Sequence, residues 1–285
     1  MYHKIMRRLI SHPQSAIELC RRFVSRYRKY CPRCGTAGAF VTHHTDKRGV
    51  KTFLCCTCSK TFTEFHGTIF YRSKIPLHLA FYLLLLWITS TGSMSAAEGA
   101  RQSGLSYPTV WKLLMKMRST FSSAISKDTL SGWVEADEAW FGRKENQDIV
   151  MGLVQRTNGQ LRKLRLIPIK NLTEKTLYGH IEKHVERKSH FFTDCRISYV
   201  AAGIWYQHET VNHSKYEFAR GRAHTNTIEQ MWGQIKGIIR TIHHGVSKKY
   251  RQLYFAQFIF RYENELIHNM FNLSVLKLFH PTYCL

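Results

Sequence analysis

Two cysteine pairs at CxxC spacing constrain this chain more than any other feature. Cys31 and Cys34 bound the run CPRC, Cys55 and Cys58 bound CCTC, and the 20 residues Gly35–Leu54 separate them. A CxxC pair sits on one tight turn and offers two thiolates to one ion, so two such turns complete a tetrahedron. The spacing predicts a four-cysteine zinc ribbon over residues 29–72, with a β-hairpin between the two turns. The runs AFVTHH, VKTFLC and KTFTEF supply its short strands. A bound Zn²⁺ would give so small a unit the stability that its core cannot. Cys56 competes with Cys55 but leaves only one residue before Cys58, and His43 and His44 remain as further candidate ligands. Of the eight cysteines, Cys20, Cys195 and Cys284 lie apart from this cluster, which argues for metal rather than a disulfide framework.

The charge balance points to a polyanion. Lys and Arg total 42 against 19 Asp and Glu, a formal net charge of +23. No fold needs that imbalance, and self-repulsion makes it costly, so a nucleic acid partner is the expectation. The chain has 285 residues, 44% of them hydrophobic, enough for two or three packed domains. The opening MYHKIMRRLISHPQS lacks the apolar run of a secretory signal. The most apolar stretch, Ile75–Ile88, contains His78 and is too short to span a bilayer comfortably, so it reads as a buried helix. The expectation is a soluble intracellular protein associated with DNA, with no membrane partner.

Residues 1–28 read as a short amphipathic N-terminal helix, and residues 73–127 as a helical region. Within the latter, Ala96, Ala97 and Ala100 mark a short helix, Gly104-Leu105-Ser106 a turn, and Val110, Leu113, Leu114 and Met117 the buried face of a second helix. Ser106 is placed as N-cap, with Pro108 in the first turn. This is a helix-turn-helix layout, and Tyr107, Thr109, Lys112 and Lys116 are the candidates to face DNA. SKDTLS (126–131) reads as a linker.

Beyond the linker the pattern becomes α/β. Three strands are expected at Trp133–Gly142, Asp148–Arg156 and Gln160–Lys170, the last two joined by a turn at Asn158-Gly159. A helix follows over Thr173–Val185, then a strand, HFFTD, ending on Asp194, then helices over Asn226–His243 and Lys248–Met270. In WVEADEAWFG the period-two alternation puts Glu135 and Asp137 on one face and Glu138 on the other. Three acids on so apolar a strand need cations. An acid on a first strand, a second at the end of a later strand (Asp194) and a third on a following helix (Glu229) is the ribonuclease-H-like layout, in which carboxylates converge on Mg²⁺. Lys236 lies two turns beyond Glu229 on the same helix face.

The blocks CPRCG, TFTEFHGTIFYRSKIPL, GLSYPTVWKLL, VEADEAWFG, FFTD, VNHSKYEFARGRAHTNTIEQMWGQIKG and HHGVSKKYRQLYFAQFIFRYE run along nearly the whole chain. Together they resemble the insertion-sequence-1595 superfamily of bacterial transposases, related to the eukaryotic Merlin transposons. The resemblance implies an α/β chain in which a zinc ribbon and a helix-turn-helix precede a ribonuclease-H-like mixed-sheet catalytic domain over 131–285. It implies an enzyme that binds terminal inverted repeats, cleaves strands and joins 3′-hydroxyl ends to target DNA, acting as a homo-oligomer with Mg²⁺ or Mn²⁺. It matches Asp137, Asp194 and Glu229 to the catalytic triad and Lys236 to the basic residue that follows. Asn226 matches an alternative third ligand, though an amide oxygen binds Mg²⁺ more weakly than a carboxylate. His213 and His224 fall in the matched blocks as substrate-orienting or structural groups. Gly142-Arg143 departs from the Gly-Gly common in the family. The competing expectation is a domesticated, non-catalytic DNA-binding regulator, against which the presence of all three acids counts.

Overall fold

The computed structural model describes residues 11–12, 15–18, 21, 30–90, 92–123, 125, 128–143, 147–156 and 162–264. Most of the expected N-terminal helix, the turn at Asn158-Gly159, the first two residues of the linker and the end of the last helix lie outside these residues; Ser15–Glu18 is helical. The described residues up to Ser123 form one compact unit, and those from Ile125 to Asn264 a second.

In the first unit β1 (Phe40–Thr45), β2 (Lys51–Cys55) and β3 (Thr61–Thr63) form an antiparallel meander. The β1–β2 turn is fixed by Asp46, whose carboxylate accepts the Arg48 and Val50 N–H groups at 2.9 Å each, with Gly49 at φ 83°. Phe40, Phe53 and Phe62 pack ring against ring at 5.4–5.6 Å. Three helices follow: α1 (Leu77–Thr89), α2 (Ala96–Ser103) and α3 (Tyr107–Ser123). Apolar nearly all round, α1 is a core helix, burying Phe81, Leu83, Leu84, Leu85 and Trp87. Trp87 stacks on Phe121 of α3 at 5.0 Å. Ser95 caps α2 through the Glu98 N–H (3.1 Å), and Gly104 ends it in the left-handed conformation, φ 69°. Among the described residues, no helix is long and apolar enough to cross a membrane.

The second unit is built on a five-stranded mixed sheet of β4 (Trp133–Phe141), β5 (Asp148–Arg156), β6 (Lys163–Ile169), β7 (His190–Asp194) and β8 (Gln207–Val211). Their spatial order is β6-β5-β4-β7-β8. The first three run antiparallel as a meander, whereas β7 and β8 lie parallel to β4. This is the ribonuclease-H-like arrangement, and it puts β4 at the centre. Strand alternation sorts the core into two layers. Val134 and Ala136 join Leu177 and Ile181 of α4 (Glu174–His184), with Phe191 and Tyr199, on one face. Ala139 and Phe141 join Ile228, Trp232 and Ile235 of α5 (Asn226–Thr241) and Phe255 and Ile259 of α6 (Lys248–Asn264) on the other.

Candidate active site and metal centre

The three acids of β4 meet three different environments. Glu135 has no exposed surface. Its carboxylate pairs with Arg156 Nε, accepts the Ile228 N–H at 2.9 Å and lies 3.3 Å from His224 Nδ1. Ile228 is in the first turn of α5, where N–H groups lack helical partners, so a strand carboxylate caps the helix from outside. Thr225, at the N-cap position, makes no such bond. Glu138, on the opposite face, accepts the Tyr199 hydroxyl and lies 3.5 Å from Arg196 Nε. Burial pushes its carboxyl up to about 7, against the opposing pull of Tyr199 and Arg196.

Asp137 differs from both. Trp232 Nε1 donates to its Oδ2 at 3.0 Å, and among the described residues no Lys, Arg or His side chain forms an ion pair with it. Burial, with the nearby Asp194 and Glu229 carboxylates, raises it to about 6. Register explains the convergence. β7 pairs with β4 as Trp133↔His190, Val134↔Phe191 and Glu135↔Phe192, and the same offset continued puts Asp194 level with Asp137. α5 runs along β4 in the same direction: Ile228 bonds Glu135, Trp232 bonds Asp137, and Lys236 Nζ sits 5.8 Å over the Phe141 ring. Glu229 rides on this helix, its Oε1 accepting the Thr225 hydroxyl at 2.7 Å, with His213 Nε2 at 3.5 Å.

α5 lies this close because β5 carries a glycine beneath it. Gly152 pairs with Asp137. A Cβ there would stand 2.5 Å from Trp232 Cζ2 and 2.6 Å from Ile228 Cδ1. Oxygen donors from a strand, a strand end and a helix, mutually repulsive and without an internal cation at Asp137, suit a hard divalent ion. Their oxygens do not close into a tight shell: among the described residues, the one group of three or more potential ligands within 4.8 Å of one another is the four cysteines.

Those cysteines are Cys31, Cys34, Cys55 and Cys58. Cys31 and Cys58 sulfurs are 3.9 Å apart, Cys34 and Cys55 3.6 Å. Four thiolates at the usual zinc–sulfur distance of a tetrahedron stand about 3.8 Å apart, and disulfide sulfurs at about 2.0 Å. The spacing therefore fits a tetrahedral zinc. Hydrogen bonds from Thr36 lower Cys34 to about 6, toward the ligating thiolate form. Cys56 is exposed and, with His43 and His44, stands outside the cluster.

Residues 129–263 match a family model described as ISXO2-like transposase domain. This stretch is an insertion-sequence-1595-type transposase domain. A relative from Halobacterium salinarum, an uncharacterized protein in transposable element ISH50, is 24% identical over 257 residues, covering 82% of this chain and 85% of its own. Two solved structures show weaker likeness. A simian T-cell lymphotropic virus intasome bound to PP2A regulatory subunit B56 gamma has a TM-score of 0.35 at 16% identity, over 63% of this chain and 68% of that one. The HTLV-2 integrase catalytic core domain with magnesium has a TM-score of 0.31 at 12% identity, over 45% and 84%.

Within the transposase domain, Asp137, Asp194 and Glu229 come together, Asn226 opens α5 on exposed surface, and Lys236 lies toward the far end of β4. Sequence reasoning missed Trp232, Arg196, Tyr199 and Gly152. Gly152 alone carried a local signal, since a lone glycine inside a strand marks a close approach. In the first unit Tyr107, Lys112 and Lys116 are exposed and Thr109 half-buried, its hydroxyl 2.8 Å from that of Ser106.

Proposed function

We propose that this chain is a DNA transposase that cleaves strands at its terminal inverted repeats and joins the 3′-hydroxyl ends to target DNA. The observation that carries this reading is Asp137. Among the described residues it is the one acid of β4 without an ion-pair partner, and it faces two other carboxylates, Asp194 and Glu229, while Arg156 and Arg196 lie beside its neighbours. A perturbed carboxyl facing acids from distant segments is a mark of functional sites. Asp137, Asp194 and Glu229 would hold Mg²⁺ or Mn²⁺, which supplies charge stabilisation to the attacking and leaving oxygens in phosphoryl transfer. The chain's own task is positioning. Trp232 fixes the Asp137 carboxylate, Thr225 and His213 fix Glu229, and the Arg196 N–H, 3.2 Å from Asp194 Oδ1, fixes Asp194. Lys236 would meet the DNA backbone beyond the acids, and Asn226 stays second to Glu229 as ligand.

In the same reading Cys31, Cys34, Cys55 and Cys58 hold a structural zinc in a ribbon over 29–72. Residues 73–127 present Tyr107, Thr109, Lys112 and Lys116 to duplex DNA, residues 131–285 act as the catalytic domain, and the chain works as a homo-oligomer holding two ends. The test is Asp194→Ala, assayed on duplexes carrying the DNA that flanks the gene. Mg²⁺-dependent cleavage is expected to vanish while binding persists. Undiminished cleavage by this variant rules out the assignment.

A further inference from the structure

The loop between β8 and α5 holds aromatic rings out to solvent. Residues 212–222 read NHSKYEFARGR. Tyr216 is 85% exposed and Phe218 54%. The loop around them is built. Tyr216 N–H donates to His213 O at 3.0 Å, and Glu217 N–H to Asn212 O at 3.1 Å. The Glu217 carboxylate accepts the Asn212 N–H at 3.1 Å, and Arg220 donates to Thr210 O at 3.0 Å. Tyr216 itself stands at φ 57°, a left-handed conformation disfavoured for any residue with a Cβ. Local bonding thus fixes the backbone from which an unburied ring projects. The loop is also tied to the candidate active site, because His213 Nε2 lies 3.5 Å from Glu229 Oε1 and 3.3 Å from Thr225 Oγ1.

Charge selects the occupant. The segment carries Lys215, Arg220 and Arg222 against Glu217, in a chain of net charge +23. A second copy brought to this surface would meet like charge, whereas a nucleic acid strand brings phosphates to the cations and base faces to the rings. We propose that residues 212–222 are a stacking platform for unpaired bases of the DNA strand that runs into the three carboxylates. Tyr216 and Phe218 take the bases, and Lys215, Arg220 and Arg222 face the backbone. This rests on the DNA reading above and adds a substrate form to it: an end whose bases are unstacked beside the scissile phosphate.

The test is binding in magnesium-free buffer, where cleavage plays no part. Full-length protein is titrated with a duplex of about 25 base pairs, either blunt or with about four unpaired nucleotides, one of them 2-aminopurine. The unpaired form is expected to bind roughly tenfold more tightly, with 2-aminopurine fluorescence quenched on binding. Tyr216→Ala and, separately, Phe218→Ala should abolish most of that preference and leave blunt-duplex affinity within about twofold, while Tyr216→Phe retains both. Equal affinity of the wild-type protein for the two duplexes overturns the platform and leaves the transposase reading standing. So does a preference that survives both alanine variants, or a Tyr216→Ala change confined to self-association without DNA. Failure to bind either duplex removes the DNA reading with it.

Discussion

Gly152→Ala tests whether the approach of α5 to the sheet sets the candidate site. The added Cβ would meet Trp232 Cζ2 at 2.5 Å, Ile228 Cδ1 at 2.6 Å and Trp232 Cη2 at 2.8 Å. Ordinary carbon contacts begin near 3.5 Å, so the indole must retreat by about 1 Å or carry α5 with it. Either movement takes the Trp232–Asp137 bond, now 3.0 Å, beyond hydrogen-bonding range. Overpacking costs about 1–3 kcal/mol, and losing the indole donor to a half-buried carboxylate about 1–2 kcal/mol more. The narrower unfolded ensemble of alanine returns about 0.5–1 kcal/mol. The net expectation is a loss of roughly 2–3 kcal/mol. Gly179 is the control: it lies exposed inside α4 with nothing within 4 Å of a built Cβ. Gly179→Ala should therefore stabilise by about 0.5–1 kcal/mol. Urea unfolding followed by circular dichroism and tryptophan fluorescence reads both, with each transition fitted separately if the two units unfold apart. Mg²⁺-dependent cleavage should fall with Gly152→Ala and stay unchanged with Gly179→Ala. A Gly152→Ala protein within about 0.5 kcal/mol of wild type would refute the close-approach argument.

Three further outcomes follow from the same geometry. Glu135→Ala strands Arg156 and uncaps α5, so it should cost about 3–5 kcal/mol in the same urea assay, whereas Asp137→Asn should cost far less while removing cleavage. Stripping metal with a strong chelator should unfold the ribbon and expose its β1–β3 amides to hydrogen exchange; zinc analysis should find one ion per chain, lost on changing Cys34→Ser with Cys31→Ser. Glu138 gives a pH signature. Its carboxyl is raised from 4.5 to about 7 by burial, so the folded state holds the proton more tightly, and that contribution is complete below the unfolded value and lost as pH rises through about 7. In magnesium-free buffer the stability of Glu138→Gln relative to wild type should rise by about 2.5 kcal/mol between about pH 5 and about pH 8. A flat difference across that range refutes the burial of an unfavourable charge.

What was legible in the sequence was what neighbouring residues decide. The cysteine turns follow from CxxC spacing, β4, β5 and β6 from alternation and apolar content, and α4 from the Leu177–Ile181–Val185 stripe. The edge strand β8 was not legible, because QHETV is polar and an edge strand carries little apolar pattern. Nor was the 3₁₀ segment Ile197–Ile204, whose apolar residues divide between core (Tyr199, Ala202) and solvent (Ile197, Val200). Ser106 reads as the N-cap of α3 by residue type, yet its hydroxyl bonds the Thr109 hydroxyl. The separation of Asp137 from Glu135 and Glu138 was illegible from the strand alone. It depends on Arg156 arriving from β5 and Arg196 from the turn after β7, contacts between residues far apart in the chain.

That separation also accounts for why three acids can share one central strand. Each buried carboxylate costs several kcal/mol unless countered. Glu135 is countered by Arg156 and by a helix N-terminus, and Glu138 is held by the Tyr199 hydroxyl with Arg196 beside it. Asp137 is met by N–H donors alone, the Trp232 indole and the Glu138 backbone, and parallel register then brings Asp194 level with it while α5 brings Glu229 alongside. A fold selected for stability alone would put a cation or an apolar side chain at that point. Instead the same strand meets Glu135 with an arginine, leaves Glu138 only partly countered by Arg196, and at Asp137 compounds the charge with two further carboxylates. Arg196 reaches Asp194 only at 3.9 Å and His213 lies 3.5 Å from Glu229, so Asp137 keeps no ion-pair partner among the described residues, and a divalent ion held as proposed above would supply the missing positive charge.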